Sequence, residues 1–261
     1  MSLKQFEKNI KSQFGEDGVI QEIFTRIGVA NSKCVEFGAW DGIHYSNTWN
    51  LWQSKKWEAL LIEGDVHKFN VLTANLKGYD NVKAVNAYVL AEGINSLENI
   101  MSRSAYPTDV DLLSVDIDGD DYYIFESLVR YKPRVIVIEY NPTIPAVIEL
   151  IQQKGGYFGS SARSLLKLAN SMNYKLAHMT DTNMFFVVNT DFHKLGFDEP
   201  NLDDLFDDKY IAYVISSYGG SMFVAGDLPY GELAVKKIKS DHPLLINVNG
   251  IKLEKSIIYK L

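Results

Sequence analysis

Four carboxylates fall within six residues in the segment Leu113-Ser114-Val115-Asp116-Ile117-Asp118-Gly119-Asp120-Asp121-Tyr122. They follow a short apolar run, the place where a buried strand ends. Acids crowded this way repel one another, and their pKa values rise unless a cation relieves them. Hard oxygen ligands at this density suit Mg²⁺, Mn²⁺ or Ca²⁺. Without a cation, a carboxylate with a raised pKa can take a proton from a hydroxyl. Asp116 and Asp118 are the functional candidates. Asp120 or Asp121 is expected to do no more than cap the next helix, where a carboxylate is favoured. A second acid-bearing tip follows the run Ile136-Val137-Ile138 as Glu139-Tyr140-Asn141-Pro142. If the two runs are neighbouring strands, their tips converge, because adjacent strands lie roughly 5 Å apart. The expected catalytic set is then Asp116, Asp118 and Glu139. The expected ligands, if a metal is held, are Asp118, Glu139 and Asn141.

Two further segments suit the binding of a small molecule. Val35-Glu36-Phe37-Gly38-Ala39-Trp40-Asp41-Gly42 ends another apolar run. A glycine there lets the backbone come close to a ligand and adopt positive φ. The pattern is not G-x-G-x-x-G, and its acid two residues before the glycine suits a ligand with an ammonium rather than a pyrophosphate. Glu63 closes the run Leu60-Leu61-Ile62, 25 residues after Gly38. A carboxylate at such a tip can accept both hydroxyls of a ribose, and the spacing leaves room for one helix. Of the histidines, His44 follows the glycine segment and could reach the site. His67, His178, His193 and His242 have no metal-ligand spacing.

The elements that must position these residues read clearly. Val19, Ile20, Ile23, Phe24 and Ile27 mark one face of a helix over about 14–27. Five apolar runs follow: Cys34 to Phe37, Ala59 to Ile62, Val82 to Val85, Leu112 to Val115 and Val135 to Ile138. Continuous rather than alternating apolar runs, separated by segments of helix length, indicate buried parallel strands with helices on both faces. A helix over Ser164 to Met172 precedes strands at about Lys175 to His178 and Met184 to Val188. No helix separates these two, so they form an antiparallel hairpin at the sheet edge. Cys34, the single cysteine, is expected to be buried packing.

At these residues the chain resembles a known family. Ser12-Gln13-Phe14-Gly15-Glu16-Asp17-Gly18, the Glu36 to Gly42 segment, Ser46-Asn47-Thr48, Trp57 and Ile62-Glu63 occur in an order similar to that of the FkbM-like S-adenosylmethionine (SAM)-dependent methyltransferases. Leu113 to Tyr122, Val137 to Pro142, Gly159-Ser160-Ser161 and Asn183-Met184-Phe185-Phe186 continue the resemblance, which spans about 12–188. It implies a Rossmann-like class I methyltransferase fold with a mostly parallel seven-stranded sheet, plus a C-terminal extension. Members are mostly O-methyltransferases, many of which modify sugars in polysaccharide or secondary-metabolite biosynthesis. The resemblance implies that Glu36, Gly38, Asp41 and Glu63 contact SAM and places Asn86 and Ala87 near the adenine. Gln13, Ala39 and Asn47 join the cofactor set from the same motifs. Asp118-Gly119-Asp120 also resembles the acidic motif of metal-dependent sugar O-methyltransferases of macrolide pathways. Those enzymes carry adjacent carboxylates after the next strand, where this chain has Glu139-Tyr140-Asn141. A bound Mg²⁺ is therefore a possibility that the sequence leaves open.

The expected activity is O-methylation of a sugar, a nucleotide-sugar or another small hydroxylated metabolite. Trp40, Tyr45, Tyr122 and Tyr140 are candidates to shape its pocket. Two other classes stay open. Asp116-Ile117-Asp118 is a D-x-D that could hold a metal and nucleotide-sugar in a glycosyltransferase, and a non-catalytic SAM-binding protein would share the cofactor residues.

Bulk properties narrow the partners. The net charge of −7 and the lack of a dense basic stretch argue against nucleic acid. Lys236, Lys237 and Lys239 are expected to be a solvated face. A single cysteine in 261 residues excludes an internal disulfide and suits the cytoplasm. The first ten residues lack a signal-peptide core, and no apolar run is long enough to span a membrane. The methyltransferase domain is expected over 1–190. Asp203, Asp204, Asp207 and Asp208, followed by Gly219, Gly220, Gly226 and Gly231, mark 191–261 as an extension packed on it.

Overall fold

A computed structural model of the chain describes residues 2–211, Tyr218 and the backbone of five short strands beyond them. Lys236, Lys237, Lys239, Gly219, Gly220, Gly226, Gly231 and His242 lie outside the described residues. Seven strands form one sheet: β1 (Lys33–Phe37), β2 (Glu58–Glu63), β3 (Val82–Asn86), β4 (Leu112–Val115), β5 (Val135–Glu139), β6 (Tyr174–Met179) and β7 (Asn183–Val188). Each matches an expected apolar run to within one residue at either end.

The order across the sheet is β3-β2-β1-β4-β5-β7-β6. The first five strands are parallel, and β7 runs antiparallel to both β5 and β6. This is the Rossmann-like sheet of class I methyltransferases. The expected hairpin forms with β6 on the edge, and β7 fills the place between β6 and β5. Asn183 to Val187 are all buried, as an interior strand requires.

Alternate strand residues feed two cores, because successive side chains point to opposite faces. Val35, Phe37, Leu113, Val115, Ile136 and Ile138 pack with α4 (Leu97–Arg103), α5 (Asp121–Glu126) and α6 (Ala162–Ser171). Cys34, Ala59, Leu61, Leu112, Val135 and Val137 pack with α1 (Glu16–Ile27), α2 (Trp49–Gln53) and α3 (Val66–Asn75). The apolar face read from the sequence of α1 is the buried one. Helix α6 starts two residues earlier than expected because Ser161 caps it, accepting from the Ser164 amide.

The chain divides into two compact units, Met1–Asn141 with Ala146–Phe206, and Pro142–Pro145 with Asp207–Leu261. The first contains the whole sheet. In the second, β8 (Tyr213–Ser216) and β9 (Met222–Ala225) are antiparallel, and β10 (Asn247–Val248) pairs with β11 (Ile251–Lys252). Strand β12 (Ile257–Tyr259) pairs with the far side of β9. No helix among the described residues is long and apolar enough to cross a membrane.

At the amino end of the sheet a buried carboxylate ties three elements together. Asp111, just before β4, accepts from the amides of Ala30, Asn31 and Ser32 at 3.1, 2.8 and 2.7 Å. It also accepts from Arg134 Nη1 at 2.6 Å, and Arg134 donates to Asp191 and to the carbonyls at the end of α1. An ionised group is tolerated in such a place only when it is paired and hydrogen-bonded. Asp111→Ala should therefore destabilise the fold by about 3–5 kcal/mol, the usual result of stranding one partner of a buried pair. Urea unfolding of the two proteins measures it, and a difference near zero would remove this staple from the account of stability.

Candidate active site

The chain reverses its direction of travel across the sheet between β1 and β4. In open α/β sheets, ligands bind beyond the carboxyl ends of the strands at such a switch point. Gly38 and Asp116 are the first residues after β1 and the first after β4. Gly38 has φ +75°, and a Cβ built on it would lie 1.6 Å from the Asp116 carbonyl oxygen. No side chain fits there, so the two tips are in direct backbone contact.

The acids expected to meet do meet. Single carboxylate oxygens of Asp116, Asp118 and Glu139 all lie within 4.8 Å of one another. Adjacency of β4 and β5 in register, Val115 beside Ile138, brings them together. Asp118 adopts φ +56°, a left-handed conformation that costs most residues energy and recurs at functional sites. Burial, then the negative charges of Glu139, Asp121, Asp118 and Glu36, push the Asp116 pKa well above the ordinary carboxylate range. Asn141, expected with this group, donates from Nδ2 to the Phe158 carbonyl at 2.6 Å.

Asp120 and Asp121 do something other than the expected capping. The Asp121 carboxylate folds back on the loop and accepts from the amides of Ile117 and Gly119 at 3.0 and 2.9 Å. Asp120 makes no cap bond and instead accepts from Gln152 Nε2 and the Gly155 amide, at 2.9 and 2.8 Å. The Asp121 bonds flank Asp118 on both sides and hold its unusual conformation.

On the other side of the switch, each expected cofactor residue has a defined place. Glu36 is buried and accepts from Ser46 Oγ, the Asn47 amide and Thr48 Oγ1 at 2.7, 2.8 and 2.6 Å. Burial raises its pKa more than these bonds lower it, and the charge of Asp17 adds to the rise. Asn47 reaches from this turn to Ser114 Oγ, at 3.1 Å. Asp41 accepts from the Ile43 and His44 amides at 2.9 Å and from His44 Nδ1 at 2.6 Å. Burial opposes these bonds, but they prevail and hold its carboxyl below the usual range. Glu63 accepts from the amides of Trp40 and Asp65, at 2.8 and 2.7 Å, one bond to each oxygen. Beside it, Asn86 Nδ2 and the Ala87 amide both donate to the Glu63 carbonyl, at 2.7 and 3.1 Å. Ala39 is buried, and its amide donates to the Ile62 carbonyl at 3.1 Å.

Gln13 is half-buried in a loop whose construction the residue types alone did not disclose. Asp17 Oδ2 gathers the amides of Ile10, Lys11 and Ser12 at 2.7 to 2.8 Å. The buried Glu16 accepts from Thr180 Oγ1 and Asn183 Nδ2, at 2.7 and 3.2 Å, and so fastens this loop to the β6–β7 turn. Asn183 is also the register partner of Glu139. The run of glycine and acids over 12–18 was the available signal, but its anchors lie more than 160 residues away.

No protein-family model matches the chain, and no curated protein sequence matches it. Solved structures do resemble it. One is the N-terminal domain of EvdMO1 crystallised with S-adenosylhomocysteine (SAH) and D-fucose. It is 12% identical with a TM-score of 0.43, covering 66% of this chain and 80% of that one. The CcbJ methyltransferase from Streptomyces caelestis is 11% identical with a TM-score of 0.44, over 71% and 95%. A SAM-dependent methyltransferase from Aquifex aeolicus is 10% identical with a TM-score of 0.41, over 70% and 94%. The fold assignment stands on the strand order itself.

Asp121 gives the site a pH signature. Burial is the main cause that pushes its pKa up to about 6, against the pull of the Gly119 and Ile117 amides. An unfolded aspartate titrates near ~3.9, so the folded chain holds this proton more tightly. Its stabilising contribution is complete below about pH 4 and is lost as pH rises through about 6. Unfolding measured from pH 4 to 7 should show a falling component of at most about 3 kcal/mol, absent in Asp121→Asn. An identical slope in both proteins would contradict it.

Proposed function

We propose that the protein transfers a methyl group from SAM to a hydroxyl of a small, polyhydroxylated acceptor. The observation that carries this reading is the backbone contact at Gly38, which sets the loop after β1, bonded to Glu63, against the loop that carries Asp116. Each oxygen of Glu63 makes one bond to a backbone amide and keeps a lone pair directed elsewhere, enough to accept two ribose hydroxyls. Gly38 offers a bare backbone at the tip of β1, where a side chain would block close approach. These features fit the cofactor, with Asn86 and Ala87 beside the adenine and Asp41 near the amino-acid end. Glu36 and Asn47, read from the sequence as cofactor residues, support this side of the site through the turn at 46–48, where Glu36 accepts from Ser46, Asn47 and Thr48.

Bound SAM supplies a methyl group activated by a sulfonium. The chain must align the acceptor oxygen with it and remove the hydroxyl proton. One carboxylate of the group Asp116, Asp118 and Glu139 receives that proton, and burial together with the neighbouring acids raises the affinity of Asp116 for it. The backbone bonds of Asp121 and Asp120 hold the loop while this happens. A second reading is favoured by the spacing of the triad. Oxygens within 4.8 Å of one another also fit the shell of Mg²⁺, which would lower the pKa of a bound hydroxyl.

Calorimetry should show SAH binding, and Glu63→Ala should weaken it by about 1–3 kcal/mol. Binding of a nucleotide-sugar or NADH in place of SAH would defeat the proposal. Asp118→Asn and Glu139→Gln should each cut turnover on a hydroxyl acceptor at least about 100-fold, with SAH affinity little changed. Loss of activity in EDTA and its return with Mg²⁺ would assign the triad to a metal. Near-normal turnover in both variants would take the triad out of the chemistry.

A further inference from the structure

Two glycines of the segment Gly15-Glu16-Asp17-Gly18 seat the chain that precedes α1. A Cβ on Gly18 would lie 1.9 Å from the Phe6 carbonyl oxygen. One on Gly15, at φ +105°, would lie 2.6 Å from Glu7 Cβ. Residues 6–8 therefore rest directly on the start of α1, where side chains would hold them off. The Lys8 amide donates to the Gly15 carbonyl at 3.1 Å, and the Gly18 amide to the Lys8 carbonyl at 3.0 Å. These bonds close the loop that carries Gln13. Leu3 is buried in the core formed with α1, and the Arg26 guanidinium lies 5.5 Å from the Phe6 ring centre.

A single hydrogen bond ties this segment to the far edge of the sheet. His178 Nε2, on β6, lies 2.9 Å from Glu7 Oε1. An ionised carboxylate only accepts, so Nε2 carries the hydrogen. His178 is buried, with its ring centre 6.0 Å from that of Phe185. Its Nδ1 is buried and has no partner among the described residues. The docked ring is therefore neutral, with Nδ1 bare. A proton added there would make a buried N–H with no acceptor, which is costly. Glu7 and Glu16 favour the added proton and Lys4 opposes it, but burial is the largest influence and holds the His178 pKa below the ordinary range.

We propose that residues 2–8 form a strap that neutral His178 locks in place and protonated His178 releases. Once the strap lifts, the ring meets water and both its nitrogens find partners. The open form therefore holds the proton more tightly than the docked one. Docking is complete above about pH 6.5, where a free histidine is neutral, and weakens as pH falls through that value. Opening removes the two bonds that close the loop of Gln13. It also lifts Glu7 from Gly15, next to the Glu16 that fastens this loop to the β6–β7 turn. The device lies outside the methyltransferase reading and does not depend on it.

The test is hydrogen exchange by NMR at the Glu7, Lys8 and Gly18 amides of the full chain from pH 7 to 5, corrected for the intrinsic rate. The open population should grow by up to about tenfold per pH unit below about 6.5, as uptake of one proton requires. These amides should exchange faster than those of β4 throughout, because the opening is local. His178→Gln keeps a donor for Glu7 but takes up no proton, and should show no such growth. Glu7→Gln keeps the imidazole and should retain it. The same pH dependence in His178→Gln as in the parent would overturn the proposal. So would its loss in Glu7→Gln, which would make Glu7 the titrating group. Exchange of the three amides at the β4 rate would reduce the effect to global unfolding and overturn it as well.

Discussion

The site depends on one steric constraint, the contact between the Gly38 backbone and the carbonyl of Asp116. The two tips lie at the switch point of the sheet, where loops diverge and leave a crevice. With no Cβ at Gly38, the loop after β1 can cross directly over the loop after β4. The loop that Glu63 holds through the Trp40 amide is thereby set against the loop that carries Asp116. Any side chain at position 38 would force the two loops apart, because the obstructing atom is backbone and not a movable side chain.

Around that contact, carboxylates shape the loops by accepting from backbone amides. Glu36 organises the turn at 46–48, Asp41 the turn at 43–44, Glu63 the approach of Trp40, and Asp121 the bend at Asp118. Loops cannot satisfy their amides by regular pairing, and a charged acceptor is a strong substitute. Much of the acidic excess of this chain is thus built into backbone support. Asp116, Asp118 and Glu139 form a different group, in which acids are brought close to one another, and Asp116 is pushed toward holding its proton.

The aromatic residues divide in the same way. Tyr140, read from the sequence as a pocket candidate, is buried and donates its hydroxyl to the Thr180 carbonyl. Tyr122 packs at the margin of the core formed with α5. Trp40 and Tyr45 are exposed and lie in left-handed conformations on the loop that Asp41 organises. Tyr157 and Phe158 carried no sequence signal, since an aromatic in a glycine-rich loop reads the same whether it packs inward or stands in water.

The sheet was legible because its determinants are local. Short, continuous, β-branched apolar runs such as Ile136-Val137-Ile138 read as buried strands, and the gap between Gly38 and Glu63 has room for a single helix. Those runs predict parallel strands and a reversed pair at the end, and the adjacency of β4 and β5 in the folded sheet then brings Asp116, Asp118 and Glu139 together. The roles of Asp120, Asp121, Gln152 and Glu16 were settled only by the tertiary structure. Each acts on a partner that the sequence does not mark, such as the amide of Gly119, the carbonyl of Gly156 or the side chain of Thr180. A hydrogen bond to a backbone group leaves no residue-type signature at its far end, so it is decided where loops meet in space.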